Sequence, residues 1–280
     1  MAEKEKKIEE KTECIDHRKA LADAKRIVIK IGTSSLVHPN GSMNLRRIEK
    51  LARVMAELKN EGREVILVSS GAIGVGSEVL KLGKRPATVA GRQAAAAVGQ
   101  VHLMQVYGRL MSEYGYHVAQ ILLTRDTIDD PEARQNAVNT FTELLGMAVL
   151  PVVNENDTIA VDEIKFGDND NLSYVVARIT GADLLVILTD IDGYYKDNPA
   201  KHPEAEMYHT ITDLSEAIEA AAGGAGSMLG TGGMLTKVHA ARLAAADGIR
   251  AVIANGSDPA VLFEIIDGAD VGTLFVPGKG

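Results

Sequence analysis

The chain has 280 residues, 46% hydrophobic but only 4% aromatic and without tryptophan, so its core has to be aliphatic. A net charge of −8 and a pI near 5.4 argue against a nucleic-acid binder, which needs a basic face. A single cysteine, Cys14, excludes an intramolecular disulfide, no apolar run reaches membrane-span length, and the mixed Lys/Glu segment Met1–Thr12 lacks a secretory core, which together point to the cytoplasm.

Residues 1–24 read as a charged N-terminal extension and residues 25–280 as one domain. Strands and helices then alternate. Arg26–Ile31 is a short β-rich run. Asn44–Glu61 has helical spacing, with Leu45, Ile48, Leu51, Val54, Met55 and Leu58 on one face, and stops near Gly62. Glu64–Ser69 is a strand, and Val89–Tyr114 a long Ala-rich helical region broken or relaxed at Gly99. Val118–Leu123 is a strand, Pro131–Leu145 a helix, Ala148–Val153 a strand, Asn171–Ile179 a helix and Leu184–Leu188 a strand. Lys196–His209 is polar with two prolines, and Gly223–Gly233 holds six glycines in eleven residues, so both read as loops. Met234–Ala246 is a helix, Arg250–Ala254 a strand, Pro259–Ile266 a short helix and Gly272–Val276 a last strand. The central strands are continuous apolar runs, the mark of strands covered on both faces. The order predicts an α/β fold: a three-layer αβα sandwich around a mostly parallel central sheet of about eight strands.

Five segments could carry chemistry. The most distinctive lies between Asn154 and Asn171, where eight residues are Asn or Asp, directly after an apolar strand. Singly, each fits a turn. Together, at the carboxyl end of a buried strand, they fit a polar site for a ligand bearing both carboxylate and ammonium groups. In Lys30-Ile-Gly-Thr-Ser-Ser35 a strand carrying a lysine enters a small-residue turn, and a lysine within an apolar strand needs a partner. In Ser69-Ser-Gly-Ala-Ile-Gly-Val-Gly76 a strand passes through Ser and Gly into a helix start, a geometry suited to anions. Gly230-Thr-Gly-Gly-Met-Leu-Thr-Lys237 is a glycine-rich turn with a lysine one turn into the next helix, without the Gly-Lys-Ser/Thr core of a P-loop. Leu188-Thr-Asp-Ile-Asp-Gly193 fits either a nucleotide edge or a plain strand-to-loop turn. Two lysines on separate glycine-rich segments beside an Asn/Asp pocket suggest phosphoryl transfer from a nucleotide to a small charged substrate.

The set Lys30-Ile-Gly-Thr-Ser, Val68-Ser-Ser-Gly-Ala-Ile, Val153-Asn-Glu-Asn-Asp157, Lys165-Phe-Gly-Asp-Asn-Asp-Asn171, Leu188-Thr-Asp190 and Gly230 to Lys237 resembles the glutamate 5-kinase family of the amino acid kinase superfamily. The resemblance runs over residues 25–276 and implies the amino acid kinase fold, in the form without a PUA domain. It implies ATP-dependent phosphorylation of the γ-carboxylate of L-glutamate, the first step of proline synthesis, with Mg²⁺ held mainly by the nucleotide phosphates. By that resemblance Lys30, Lys237 and Asp168 are catalytic, with Asp168 orienting the lysines. Ser70, Gly71, Asn154, Asp157, Asn169 and Asp170 bind glutamate, and Gly32, Thr189, Asp190, Thr231, Gly232, Gly233, Met234 and Lys237 line the nucleotide. The amino acid would occupy an N-lobe of about residues 25–180 and the nucleotide a C-lobe of about 181–280. Proline feedback inhibition and a homodimer or homotetramer are further implications. Neighbouring readings are a kinase of N-acetylglutamate or aspartate, and a non-catalytic amino-acid sensor on the same fold.

Overall fold

Arg26–Ile31 (β1) lies between Glu64–Ser69 (β2) and Leu184–Thr189 (β5), parallel to both. The computed structural model describes residues 17–38, 41–159, 169–222 and 233–278. With Val118–Leu123 (β3), Leu150–Glu155 (β4), Thr210–Ile211 (β6), Arg250–Asn255 (β7) and Thr273–Phe275 (β8), the eight strands form one sheet in the order β3-β4-β2-β1-β5-β7-β8-β6. Only the β7–β8 pair is antiparallel. The expected three-layer α/β sandwich with a mostly parallel eight-stranded sheet is therefore what the chain forms.

Side chains alternate across a strand, so each continuous apolar run feeds two cores. Ile27, Ile29 and Ile31 join Val65, Leu67, Val186 and Leu188 on one face. Val28 joins Ile66, Val68, Leu185 and Ile187 on the other. Helices cover both faces. Leu45–Asn60 (α2) buries Ile48, Leu51, Ala52, Met55 and Leu58 on the first face. Its start is capped by the Asn44 side chain, which accepts from the Arg47 amide, and Gly62 at φ +83° turns the chain after its end. Leu45, expected on the apolar face, is instead 52% exposed at the first residue of the helix.

Val89–Ser112 (α4) is continuous, without the break expected at Gly99. That glycine serves a contact instead. A Cβ on Gly99 would lie 1.8 Å from the carbonyl oxygen of Ala72, and one on Gly76 would lie 1.7 Å from that of Ala95. Ala72–Val79 (α3) and α4 thus meet backbone to backbone through two facing glycines. Other departures are local. β4 runs through Asn154 and Glu155, so Asn154 is a strand residue rather than the start of a loop. The polar stretch before Thr210 leads into the two-residue strand β6, too short to read from alternation. The remaining named helices are Thr33–Leu36 (α1), Arg125–Asp129 (α5), Pro131–Gly146 (α6), Asn169–Thr180 (α7), Glu216–Ala222 (α8), Met234–Ala246 (α9) and Val261–Ile266 (α10).

Because both clashing atoms at the glycine contact are backbone, Gly76→Ala has to push α3 and α4 apart. Over-packing of this kind costs about 1–3 kcal/mol, and in a chain of this size each kcal/mol moves Tm by about 2–4 °C. A thermal melt should show that drop; an unchanged Tm would mean the two helices are not in contact as described.

Candidate active site

Alternation along β1 puts Lys30 on the same face as Val28, at the carboxyl end of the strand. The chain leaves β1 toward β2 on one side and leaves β5 toward β7 on the other, so this end is the topological switch point where open α/β sheets bind ligands. Helices α7 and α9 cover that face. On α7, Asp170, Ser173, Tyr174 and Ala177 are buried together at i, i+3, i+4 and i+7. On α9, Lys237, Ala241, Ala244 and Ala245 form the equivalent stripe. The helical period therefore turns Asp170 and Lys237 inward in the first turn of each helix, where both meet Lys30.

Lys30 Nζ lies 2.5 Å from Asp170 Oδ1, and Lys237 Nζ lies 3.0 Å from Asp170 Oδ2. The Thr236 hydroxyl donates to the same Oδ2 at 2.8 Å. Exposures of 3% for Lys30, 0% for Asp170 and 7% for Lys237 show that the charges are withdrawn from water, where each survives only because the others are present. The positive end of α7 adds to the stabilisation of the Asp170 carboxylate in its first turn. Both oxygens of Asp170, which the sequence groups with the amino-acid ligands, are engaged by the lysines. Asp168, expected to orient the lysines, lies outside the described residues, as do Thr231 and Gly232.

One residue before Asp170, a network of amides begins. Asn169 Nδ2 donates to the Ser69 carbonyl at 3.1 Å, the Ser70 hydroxyl at 2.9 Å and Asn154 Oδ1 at 2.9 Å. Asn154 Nδ2 in turn donates to Gln100 Oε1 at 2.9 Å. The Ser69 hydroxyl pairs at 3.0 Å with the hydroxyl of Tyr107. Burial pushes the Tyr107 phenol up to about 12, against the lowering effect of the Ser69 bond, so it stays neutral at physiological pH. Gln100, Tyr107 and Thr236 were not foreseen from the sequence. Gln100 and Tyr107 share a buried helical stripe of α4 with Leu103, which was the available signal.

The other expected residues surround these two groups. Gly71 takes φ +97° at the start of α3, a left-handed position that favours glycine, and Ser70 and Gly71 are half-buried there. Asp157 is half-buried in the turn after β4. Gly32 precedes α1, where an added Cβ would sit 3.8 Å from Lys30 Nζ. Thr189 is buried at the end of β5, its hydroxyl 3.1 Å from the carboxylate of the exposed Asp190. Gly233 precedes α9, which begins at Met234. Helix α9 is itself clamped to α8: His239 Nδ1 lies 3.0 Å from Glu219, and Arg242 also donates to that carboxylate. Burial pushes the Glu219 carboxyl up, but the Arg242 and His239 hydrogen bonds outweigh it and hold it below the usual carboxylate range. The whole offers two fixed cations for an anionic group, with an amide platform alongside.

Residues 25–255 match the family model described as the amino acid kinase family. A glutamate 5-kinase of Clostridium perfringens is 51% identical over 267 residues, which cover 94% of this chain and 99% of that protein. A glutamate 5-kinase of Enterococcus faecalis is 51% identical over 265 residues, covering 93% and 98%. One of Listeria welshimeri is 52% identical over 266 residues, covering 94% and 96%. Two solved structures share the fold at 19% identity. The UMP kinase from Bacillus anthracis aligns with a TM-score of 0.63 over 91% of this chain and 96% of its own. Carbamate kinase from Giardia lamblia bound to AMP-PNP aligns with a TM-score of 0.65 over 91% and 99%.

Asp170 touches both lysines, whereas each lysine makes one of the two contacts. Asp170→Asn is therefore expected to cost about 3–5 kcal/mol, the range for stranding a buried charge, and Lys237→Met less. Urea denaturation of the two variants checks the order; Lys237→Met as damaging as Asp170→Asn would contradict it.

Proposed function

Because this chain belongs to the glutamate 5-kinases of the amino acid kinase family, we infer that it transfers the γ-phosphoryl group of ATP to the γ-carboxylate of L-glutamate. The product is γ-glutamyl phosphate, the first intermediate of proline synthesis. The observation that carries this reading is the pair of buried lysines held on one carboxylate beside the amide platform. Phosphoryl transfer asks for positioning and charge neutralisation rather than covalent catalysis. The glutamate carboxylate, with a pKa of about 4.3, is ionised at neutral pH and attacks without a general base.

Lys30 and Lys237 neutralise the phosphoryl oxygens as charge spreads over them, and Asp170 aims both ammonium groups. Asp168 joins Asp170 in this, as the family resemblance implies. Ser70, Gly71, Asn154, Asp157 and Asn169 receive glutamate. Asp170 stands beside this polar set, as the family resemblance implies for the glutamate site. Gly32, Thr189, Asp190, Thr231, Gly232, Gly233, Met234 and Lys237 line the nucleotide. The amino acid thus lies on about residues 25–180 and the nucleotide on about 181–280. Mg²⁺ would be held mainly by the nucleotide phosphates. Among the described residues no group of three or more His, Cys, Asp or Glu side chains could hold a metal ion, and both Asp170 oxygens are engaged by the lysines. That donor set fits a cation resting on substrate phosphates and water, where it supplies further neutralisation of the phosphate oxygens.

Proline carries an α-carboxylate and a secondary ammonium where glutamate has a primary one, so the amide platform suits it as a feedback inhibitor. A homodimer or homotetramer would give a partner to the exposed apolar run Val79, Leu80 and Leu82. No helix of the described residues is long and apolar enough to cross a membrane.

Hydroxylamine trapping of acyl phosphate, run beside ADP release over L-glutamate, N-acetylglutamate and L-aspartate, tests the substrate. The hydroxamate should form with L-glutamate; turnover on N-acetylglutamate with none on glutamate would overturn the reading. In the same assay Lys237→Ala should lower kcat by about 10²–10³-fold, the usual loss for one transition-state donor, while glutamate affinity stays near the wild-type value. Wild-type kcat in that variant would remove Lys237 from its role.

A further inference from the structure

The amides of Gln100, Asn154 and Asn169 form a chain with one consistent orientation, and a backbone atom anchors it. The Ser69 carbonyl only accepts hydrogen bonds, so the Asn169 amide atom 3.1 Å from it is the nitrogen. The Asn154 atom 2.9 Å from that nitrogen must then be its oxygen. Asn154 therefore turns its own nitrogen toward Gln100, which has to present Oε1, at 2.9 Å. At the far end of this chain Asn169 Oδ1 is buried and has no hydrogen-bond partner among the described residues. Had Gln100 offered its nitrogen, Asn154 would be reversed and two N–H donors would face each other between Asn154 and Asn169. Gln100 is 8% exposed on α4, an element that supplies none of the lysine contacts.

We propose that Gln100 is a positioning residue for substrate recognition: by accepting from Asn154 Nδ2 it holds Asn154 Oδ1 on Asn169 Nδ2, and so steadies Asn169, whose polarity the Ser69 carbonyl sets, with Oδ1 presented as the acceptor for the ammonium group of bound glutamate. This rests on the reading that glutamate occupies the Asn154–Asn169 platform. The neutral acceptor complements a cationic donor and is independent of the phosphoryl end, so its loss acts on amino-acid binding and not on ATP.

The test is steady-state kinetics of Gln100→Met and Gln100→Glu in both substrates. Met keeps the length and removes the acceptor; Glu keeps an oxygen toward Asn154. Gln100→Met should raise the KM for glutamate about tenfold, the size of one hydrogen bond to a charged group, with kcat and the KM for ATP near wild type. Gln100→Glu should stay within about threefold of wild type, since the acceptor toward Asn154 is retained. If Gln100→Met does not fold, Gln100→Ala removes the same acceptor without added bulk and carries the same expectation. An unmoved glutamate KM, an equal rise in Met and Glu, or a parallel rise in the KM for ATP would overturn the proposal. Wild-type protein with no turnover on glutamate would overturn it together with the glutamate reading, whereas wild-type turnover with an unmoved KM in the variant overturns the amide relay alone.

Discussion

A carboxylate held between two ammonium groups inside the protein sets the terms for everything around it. Asp170, with no exposed surface, takes Lys30 on one oxygen and Lys237 on the other. Removing three charges from water is costly, and only short, well-aimed contacts offset it. Those contacts require β1, α7 and α9 to arrive at one point from distant parts of the chain. The sheet meets that requirement by placing β1 at its switch point, with the two helices side by side on one face. Small side chains are buried on both helices: Ala177 on α7, and Ala240, Ala241, Ala244 and Ala245 on α9.

The same helix start joins the charged group to the neutral one. Asn169 and Asp170 are adjacent, and successive helical residues point about 100° apart. One therefore turns to Ser70 and Asn154 while the other turns to the lysines. An amide network and a pair of buried cations are thus set side by side by one turn of backbone. The support beneath is aliphatic and close-packed, and at the Gly76–Gly99 contact it allows no added carbon at all. That contact fixes α4 and, through it, the Gln100 and Tyr107 side chains that underlie the amide platform.

The layer order was legible because its signals are local. Continuous apolar strands announce burial on both faces, and the stripe of α2 announces a helix. Gly99 was misread as a break because a glycine inside a helix looks the same whether it relaxes the backbone or admits a neighbour; the neighbour, Ala72, is on another helix. The two-residue strand β6 carries no periodicity to detect. Within the Asn/Asp cluster, composition marked a site but did not divide its members. The spacing of Asp170 with Ser173, Tyr174 and Ala177 was the one local sign that Asp170 turns inward.

By itself the sequence determined the fold class, the family and the segments that carry the chemistry, since these depend on residue type and short-range spacing. Which atom faces which was decided only by the tertiary structure. Asp170 lies on the lysines, and Gln100 orients Asn154, because helix phase and strand pairing bring together residues far apart in the chain. Hydrogen-bond direction then follows from a single backbone carbonyl, at Ser69, that no reading of the chain in one dimension places beside Asn169.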